Sequence, residues 1–317
     1  MSRDPILVIV GPTAVGKTEL AVKVAQRLNA EIISADSMQI YRGMDVGTAK
    51  PTPEEQGGIV HHMIDVVDPD QDFTVAQYQE MVEEILASIS ARGKRALLTG
   101  GTGLYVKAVI DGFDFPAQPE DFQLRRQLQQ IAQTQGPKAL HDKLQRVDPV
   151  SARRLHPNDV RRVIRAWEVY EVTGTPLSEL LERQEHRPPR HEALFFGLTR
   201  PREELYLRCD QRVDLMLEQG LLDEVKQLLE RGFDQRGTAL QAIGYKELIG
   251  YLQGQYDWEE GIRLLKRNTR RYAKRQYTWF LRDRRIQWID VSTVGPEQAV
   301  EEIVSEYQRR AAKDSES

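Results

Sequence analysis

The segment Gly11-Pro12-Thr13-Ala14-Val15-Gly16-Lys17-Thr18 has the spacing G-x-x-x-x-G-K-[ST] and follows the apolar run Leu7-Val8-Ile9-Val10. Those residue types point to phosphate chemistry. Glycines let the backbone curl until successive N–H groups face a phosphate, and the following helix adds partial positive charge. Lys17 then neutralises the outermost phosphate, and the Thr18 hydroxyl holds Mg²⁺. A second reactive group, Asp36, ends the run Glu31-Ile32-Ile33-Ser34-Ala35. A carboxylate there can take a proton from an incoming nucleophile or stabilise a turn, and spacing supports both. A third run, Arg95-Ala96-Leu97-Leu98, passes into Thr99-Gly100-Gly101-Thr102-Gly103. Many nucleotide hydrolases place a metal-holding aspartate at that point; without one, the metal site is not of the common motor or switch type.

Positioning these groups takes alternating strands and helices. Strands are expected at 7–10, 31–36 and 95–99, with helices at 19–28 and 75–90 and a loop at 41–69. In the second helix Val75, Tyr78, Val82, Ile85, Leu86 and Ile89 recur at helical spacing. Such alternation implies a parallel sheet with ligands at the carboxyl ends of its strands. Phe115-Pro116-Ala117-Gln118-Pro119 breaks the pattern, and polar helical sequence runs from there to Arg187-Pro188-Pro189-Arg190. A strand at 193–198, further helices, a short strand at 286–290 and a helix at 298–310 complete the chain. The fold class expected is α/β, a P-loop NTPase-like parallel sheet core with an all-helical insertion. The core takes residues 1–115 and 193–312, the insertion 116–192, and 313–317 form a disordered tail.

The 317 residues suggest about two domains. Hydrophobic content of 40% and charged content of 29% describe an ordinary globular protein, and no apolar run reaches the length of a membrane span. The N-terminus leads straight into the first strand, leaving no room for a signal peptide. The single cysteine, Cys209, excludes internal disulfides and a cysteine metal cluster and fits a small buried residue. A cytoplasmic location is expected. Net charge is −4 with a pI near 6.0, so nucleic acid must be held by local patches rather than by overall charge.

Beyond the phosphate loop, Ile33-Ser34-Ala35-Asp36-Ser37-Met38-Gln39-Ile40-Tyr41-Arg42-Gly43-Met44-Asp45-Val46-Gly47-Thr48-Ala49-Lys50-Pro51 resembles the tRNA dimethylallyltransferase family. So do Gly100-Gly101-Thr102-Gly103-Leu104-Tyr105, Leu155-His156-Pro157-Asn158-Asp159 and Ala242-Ile243-Gly244-Tyr245-Lys246-Glu247. The blocks fall in family order from the first strand to about Trp279. With no Cys/His zinc-finger pattern after the core, the chain is similar to the compact bacterial form. The resemblance implies transfer of a dimethylallyl group from dimethylallyl diphosphate to N6 of the adenosine immediately 3′ of the anticodon. It makes Gly11 to Thr18 the diphosphate loop, Asp36 the base, and Lys17, Thr102 and Arg208 further catalytic residues, with Thr18 on Mg²⁺. Thr102 and Gln39 help place the flipped base. Before the resemblance, Arg208 is equally readable as a solvated helix arginine.

Two basic segments are candidates for the tRNA. Arg153, Arg154, Arg161, Arg162 and Arg165 crowd around 156–159, and Arg263, Lys266, Arg267, Arg270 and Lys274 share one helix face, opposite Ile262, Leu265, Tyr272, Gln276, Trp279 and Phe280. A basic helix face is by default solvated, but two in a chain of negative net charge favour phosphate contact. The tRNA-contacting set expected is Asp36, Ser37, Met38, Gln39, Thr102, Val160, Arg161, Arg162, Val163, Ile164, Arg165, Gln241, Gly244, Tyr245, Lys246 and Arg270. Tyr245 and Lys246 are placed on a loop. His61, His62 and Asp65 could suggest a metal site, although a loop or supporting role fits better. The other readings are a small-molecule or nucleoside kinase, an adenylate dimethylallyltransferase acting on AMP or ATP, and an RNA-binding protein with a vestigial loop. A monomer is expected.

Overall fold

The structure is a computed structural model that describes residues 4–113 and 122–315. Its strands are β1 (Ile6–Val10), β2 (Ala30–Ser34), β3 (His61–His62), β4 (Arg95–Gly100), β5 (Ala193–Thr199) and β6 (Gln287–Asp290). Its helices are α1 (Lys17–Leu28), α2 (Pro53–Gln56), α3 (Val75–Ala91), α4 (Gly103–Lys107), α5 (Phe122–Thr134), α6 (Pro137–Val147), α7 (Pro149–Arg154), α8 (Val160–Thr173), α9 (Leu177–Glu185), α10 (Arg202–Glu218), α11 (Leu221–Glu230), α12 (Tyr245–Leu252), α13 (Trp258–Phe280), α14 (Val291–Val294) and α15 (Pro296–Ser315). The chain divides into two compact units, one made of Met1–Ile110 with Arg190–Ser317 and the other of Asp111–Pro189.

Every residue of β1 is buried. A strand apolar on both faces needs a parallel sheet covered on both sides, and β1 lies inside a six-stranded parallel sheet of order β3-β2-β4-β1-β5-β6. Side chains alternate between two layers. Leu7, Ile9, Ile32, Leu97, Phe196 and Leu198 pack on α1 and α15, while Ile6, Val8, Val10, Ile33, Leu98 and Phe195 pack on α3 and α4. Thr74 and Gln77 start α3 with a reciprocal capping box, a signal for a helix beginning at Val75. A third cluster seats Ile40, Tyr41 and Met44 against α10 to α13 through Val213, Leu221, Val225, Tyr245, Leu248 and Leu265. It fixes the long segment after β2.

The chain leaves β1 through α1 to β2 on one side of the sheet and later returns at β5 on the other. The strand order therefore reverses at β1, which opens a crevice beyond its carboxyl end. The loops after β1, β2 and β4 meet there. Gly100 lets two of their backbones meet closely: a Cβ on it would stand 2.2 Å from the Ala35 carbonyl oxygen.

The second unit is all-helical, with a core of Leu128, Ala132, Leu140, Leu144, Ala152, Val163, Ile164 and Ala166. Buried Asp148 ties it together by accepting from the Ser151 amide at 2.9 Å and from the Ser178 amide and hydroxyl.

The break expected at 115–119 lies outside the described residues. Inside the expected 41–69 loop, His61 and His62 form edge strand β3 beside Ile32 and Ile33, a pairing too short to leave a sequence period. The last helix continues to Ser315 rather than giving way to a disordered tail at 313; Arg310, Ala311, Ala312 and Lys313 are good helix formers. Residues 316 and 317 lie outside the described residues. Tyr245 opens α12 instead of sitting on a loop, because Gly244 at φ 102° turns the chain and its amide donates to Glu247. Trp279 is 43% exposed rather than in the core: it follows buried Gln276 by three residues, and the turn carries it to the rim.

Candidate active site

The turn from β1 into α1 takes the shape that its glycines permit. Gly11 and Gly16 have φ of 151° and 106°, and a Cβ on Gly11 would stand 2.7 Å from the Leu198 carbonyl oxygen. Ala14 also has positive φ, 64°, which costs a residue with a Cβ. Contacts from elsewhere hold it there. Arg208 on α10 donates from Nε to the Ala14 carbonyl at 2.8 Å, and Arg200 donates to the Val15 carbonyl at 3.0 Å. Gln276 on α13 accepts from the Thr13 amide at 2.8 Å. Lys17 Nζ donates to the carbonyls of Gly11 and Pro12.

Asp36 follows β2. Its Oδ1 accepts from the Met38 amide at 2.9 Å, so it closes the turn that one reading of the sequence assigned to it. It also lines a cavity together with Thr13, Lys17, Thr18, Ser34, Gln39, Arg212 and Gln276, so the turn leaves it facing the phosphate loop. Thr102 accepts from the Ser37 amide at 3.0 Å, and its own amide donates to the Ala35 carbonyl. The loop after β4 therefore holds the loop after β2. Gln39 accepts from the Ser34 hydroxyl and donates to the Thr48 and Ala49 carbonyls; it braces the segment behind Asp36.

A second, outward compartment is lined by Lys17, Thr18, Arg208 and Arg212. Lys17, Thr18 and Arg212 border both compartments, so two cations and a hydroxyl form the neck between an outer space, which Glu19, Asp45 and Glu55 also border, and an inner one containing Asp36. Burial, reinforced by Arg212, lowers the Lys17 pKa to about 7, against a smaller upward pull from Asp36. Arg212 is pushed down mainly by burial. Among the described residues neither the Arg212 guanidinium nor the Thr18 hydroxyl makes a hydrogen bond or close ion pair, although Asp36 and Glu55 attract the Arg212 charge. Mg²⁺ keeps several waters and takes only one or two protein ligands beside a polyphosphate, so the lone Thr18 hydroxyl fits it.

Arg212 is the residue that the sequence reading missed. Its signal was its place four residues after Arg208, which puts both on one face of α10. Replacing Arg212 by Met is expected to raise the Kd for inorganic diphosphate about 10- to 100-fold, the worth of one charge-assisted hydrogen bond, measured by calorimetry with Mg²⁺.

Several expected tRNA contacts lie elsewhere. Val163 and Ile164 are buried in the helical core, because the apolar stripe of α8 must face inward. Val160 packs against that core, and Arg165 is half-buried with Glu168 at 3.9 Å. Arg162 pairs with Asp159, while Arg153, Arg154 and Arg161 are exposed. Tyr245 is fully buried with its hydroxyl on Glu224, and Gly244 is buried; Gln241 and Lys246 are exposed. On α13 the expected basic face is largely paired: Arg263 to Glu260, Lys266 to Asp214 and Arg270 to Asp210. On this helix Lys274, from the expected face, is exposed without an ion-pair partner among the described residues, as are Arg271 and Arg275 beside it.

His61 Nδ1 lies 2.9 Å from the Ile59 carbonyl oxygen, His62 shares a hydrogen bond with Glu31, and Asp65 pairs with Lys50. These three therefore do not converge. Cys209 is buried, and burial pushes its thiol up to about 11. No helix among the described residues is long and apolar enough to cross a membrane.

Comparison with known proteins identifies the family and the fold. The family model described as IPP transferase matches residues 39–284. The tRNA dimethylallyltransferase of Symbiobacterium thermophilum is 53% identical over 303 residues, covering 95% of this chain and 94% of the relative. That of Halothermothrix orenii is 54% identical over 288 residues, covering 91% and 88%. Among solved structures, the full-length tRNA isopentenylpyrophosphate transferase of Bacillus halodurans superposes with a TM-score of 0.74 at 44% identity, covering 99% of both chains. A eukaryotic dimethylallyltransferase acting on tRNA gives a TM-score of 0.80 at 32% identity, covering 94% of this chain and 78% of the other. The fold is the P-loop NTPase-like fold of those neighbours, and the chain belongs to the IPP transferase family, alongside the tRNA dimethylallyltransferases.

Proposed function

We propose that this chain transfers a dimethylallyl group from dimethylallyl diphosphate to the exocyclic N6 of the adenosine immediately 3′ of the anticodon of tRNA. The observation that carries the reading is the neck shared by two compartments, with the cations Lys17 and Arg212 on it, Arg208 outside and Asp36 inside. A diphosphate in the outer space would leave its allylic carbon at the neck, facing a nucleophile beside Asp36. Negative charge grows on the departing diphosphate as the C–O bond breaks. Lys17, Arg208 and Arg212 stabilise that charge where it develops, usually a large share of catalysis. Mg²⁺ held by Thr18 would add Lewis-acid assistance to the leaving group.

Adenine N6 is a weak nucleophile because its lone pair is delocalised, so placement must supply much of the rate. The base has to leave its stack to reach the inner space. As the N6–C bond forms, Asp36 accepts the N6 proton and later releases it to water. The products are N6-dimethylallyladenosine in tRNA and diphosphate. Thr102, through Ser37, keeps the Asp36 loop in register with β4. The exposed cations Arg271, Lys274 and Arg275 on α13, with Arg153, Arg154 and Arg161 of the helical unit, would supply phosphate contacts to the anticodon arm. A monomer acting in the cytoplasm belongs to the same proposal.

The test offers labelled dimethylallyl diphosphate with Mg²⁺ to unmodified tRNA, AMP and ATP in parallel. Label on the adenosine beside the anticodon is the expected result. Label on AMP or ATP alone would move the chain to adenylate prenylation. No transfer, together with ATP-dependent phosphorylation of a metabolite, would make it a kinase.

A further inference from the structure

Gln276 is a polar side chain, only 5% exposed, in the middle of an amphipathic helix. Burying an amide is unfavourable unless both ends are hydrogen-bonded. Here each end goes to a different catalytic loop. Its Oε1 accepts from the Thr13 amide of the phosphate loop at 2.8 Å, and its Nε2 donates to the Gly101 carbonyl at 3.1 Å. Gly101 has no room for a side chain, since a Cβ would stand 2.0 Å from Gln276 Nε2. The next residue, Thr102, holds Ser37 beside Asp36. A continuous path thus runs from Thr13 through Gln276 to Gly101, Thr102, Ser37 and Asp36, and Gln276 itself lines the inner compartment.

We propose that Gln276 is a positioning residue that sets the spacing between the diphosphate loop and the loop carrying Asp36, and so commits the allylic carbon to the base rather than to water. The inference rests on the transfer reaction proposed above. An activated allylic diphosphate has two possible acceptors. If N6 is aligned, the C–O bond breaks as the C–N bond forms. If N6 is misplaced, water attacks the same carbon, its oxygen bonds to the carbon and its proton goes to solvent. The products are then dimethylallyl alcohol and diphosphate. Misalignment of about 1 Å can cost on the order of 100-fold in the productive step, while the cations that stabilise the leaving group stay in place.

The measurement is the ratio of diphosphate released to tRNA prenylated, in the full chain with Mg²⁺, for wild type, Gln276→Leu and Gln276→Glu. Wild type is expected to give a ratio near one. Gln276→Leu removes both bonds and is expected to lower the kcat of transfer about 10- to 100-fold, raise the ratio several-fold and yield dimethylallyl alcohol, with tRNA affinity changed less than about two-fold. Gln276→Glu keeps the acceptor for Thr13 but sets a carboxylate oxygen against the Gly101 carbonyl, so its ratio should rise at least as far as that of Gln276→Leu. If Gln276→Leu does not fold, the near-isosteric Gln276→Glu decides alone. A ratio of one in a folded variant overturns the inference, whether its transfer rate is normal or falls together with binding and melting temperature. Failure of wild type to prenylate tRNA at all would overturn the functional reading instead.

Discussion

Replacing Asp36 by asparagine should lower kcat for prenyl transfer by about 10³-fold, within the range usual for loss of a general base. The substitution separates two roles that one carboxylate fills. Oδ1 of Asp36 closes a turn by accepting from the Met38 amide, and an asparagine carbonyl can keep that bond. What asparagine lacks is a basic oxygen to receive the N6 proton. If the turn were the whole function, Asp36→Asn would be nearly normal and Asp36→Ala severely impaired. If the base is what matters, both variants lose transfer to a similar degree. Diphosphate binding is the control, and the choice of pH matters. Asp36 raises the Lys17 pKa, so either substitution drives Lys17 further toward its neutral form. Measured near pH 6, where wild-type Lys17 is protonated, inorganic diphosphate affinity should change by no more than about two- to three-fold, as expected for loss of one distant screened charge. A parallel loss of affinity and transfer at that pH would mean that Asp36 acts by organising the loop.

The phosphate loop was legible because its chemistry forces a local pattern. Only glycine suits φ values such as that of Gly11 under the Leu198 carbonyl, and only a strand followed by a helix aims the amides. The parallel sheet was legible for a related reason, since strands buried on both faces read as unbroken apolar runs. Contacts between segments distant in sequence left weaker traces. Arg212, Gln276 and Arg200 work through groups 195, 263 and 185 positions away respectively, such as Lys17, the Thr13 amide and the Val15 carbonyl, and no local period marks such a choice. The basic face of α13 failed for a similar reason. Helical spacing gathered Arg263, Lys266 and Arg270 correctly, but Glu260, Asp214 and Asp210 neutralise them, two of the three from α10. The expectation that Tyr245 sits on a loop comes from its neighbours; the positive-φ turn at Gly244 and the half-buried partner Glu224 put it in the core instead.

Affinity for inorganic diphosphate should fall as pH rises through about 7, and Lys17 is the reason. Burial first and Arg212 second lower its pKa from the usual lysine value of 10.5 to about 7, with Asp36 opposing both. A bound polyanion adds opposite charge to the pull that Asp36 already exerts, so the ligand favours the protonated form. Binding above pH 7 must then draw a proton from solution. The apparent association constant should fall by up to about tenfold per pH unit between pH 7 and 9, and calorimetry in buffers of different ionisation enthalpy should register that uptake. Lys17→Met should bind about 100-fold more weakly at pH 6, the loss of a charged hydrogen-bond donor, and should lose the fall between pH 7 and 9, keeping only the pH dependence of the ligand's own protonation. Stability without ligand moves the other way. Between about 7 and 10.5 the unfolded chain holds a proton on Lys17 that the folded chain has released, so this group makes unfolding less favourable as pH rises. Weaker binding with an undiminished Lys17 contribution to stability separates titration of this lysine from loss of fold. A diphosphate affinity independent of pH from 6 to 9 in the wild type would mean that Lys17 keeps its proton throughout and that the cationic neck is set for the leaving group before it arrives.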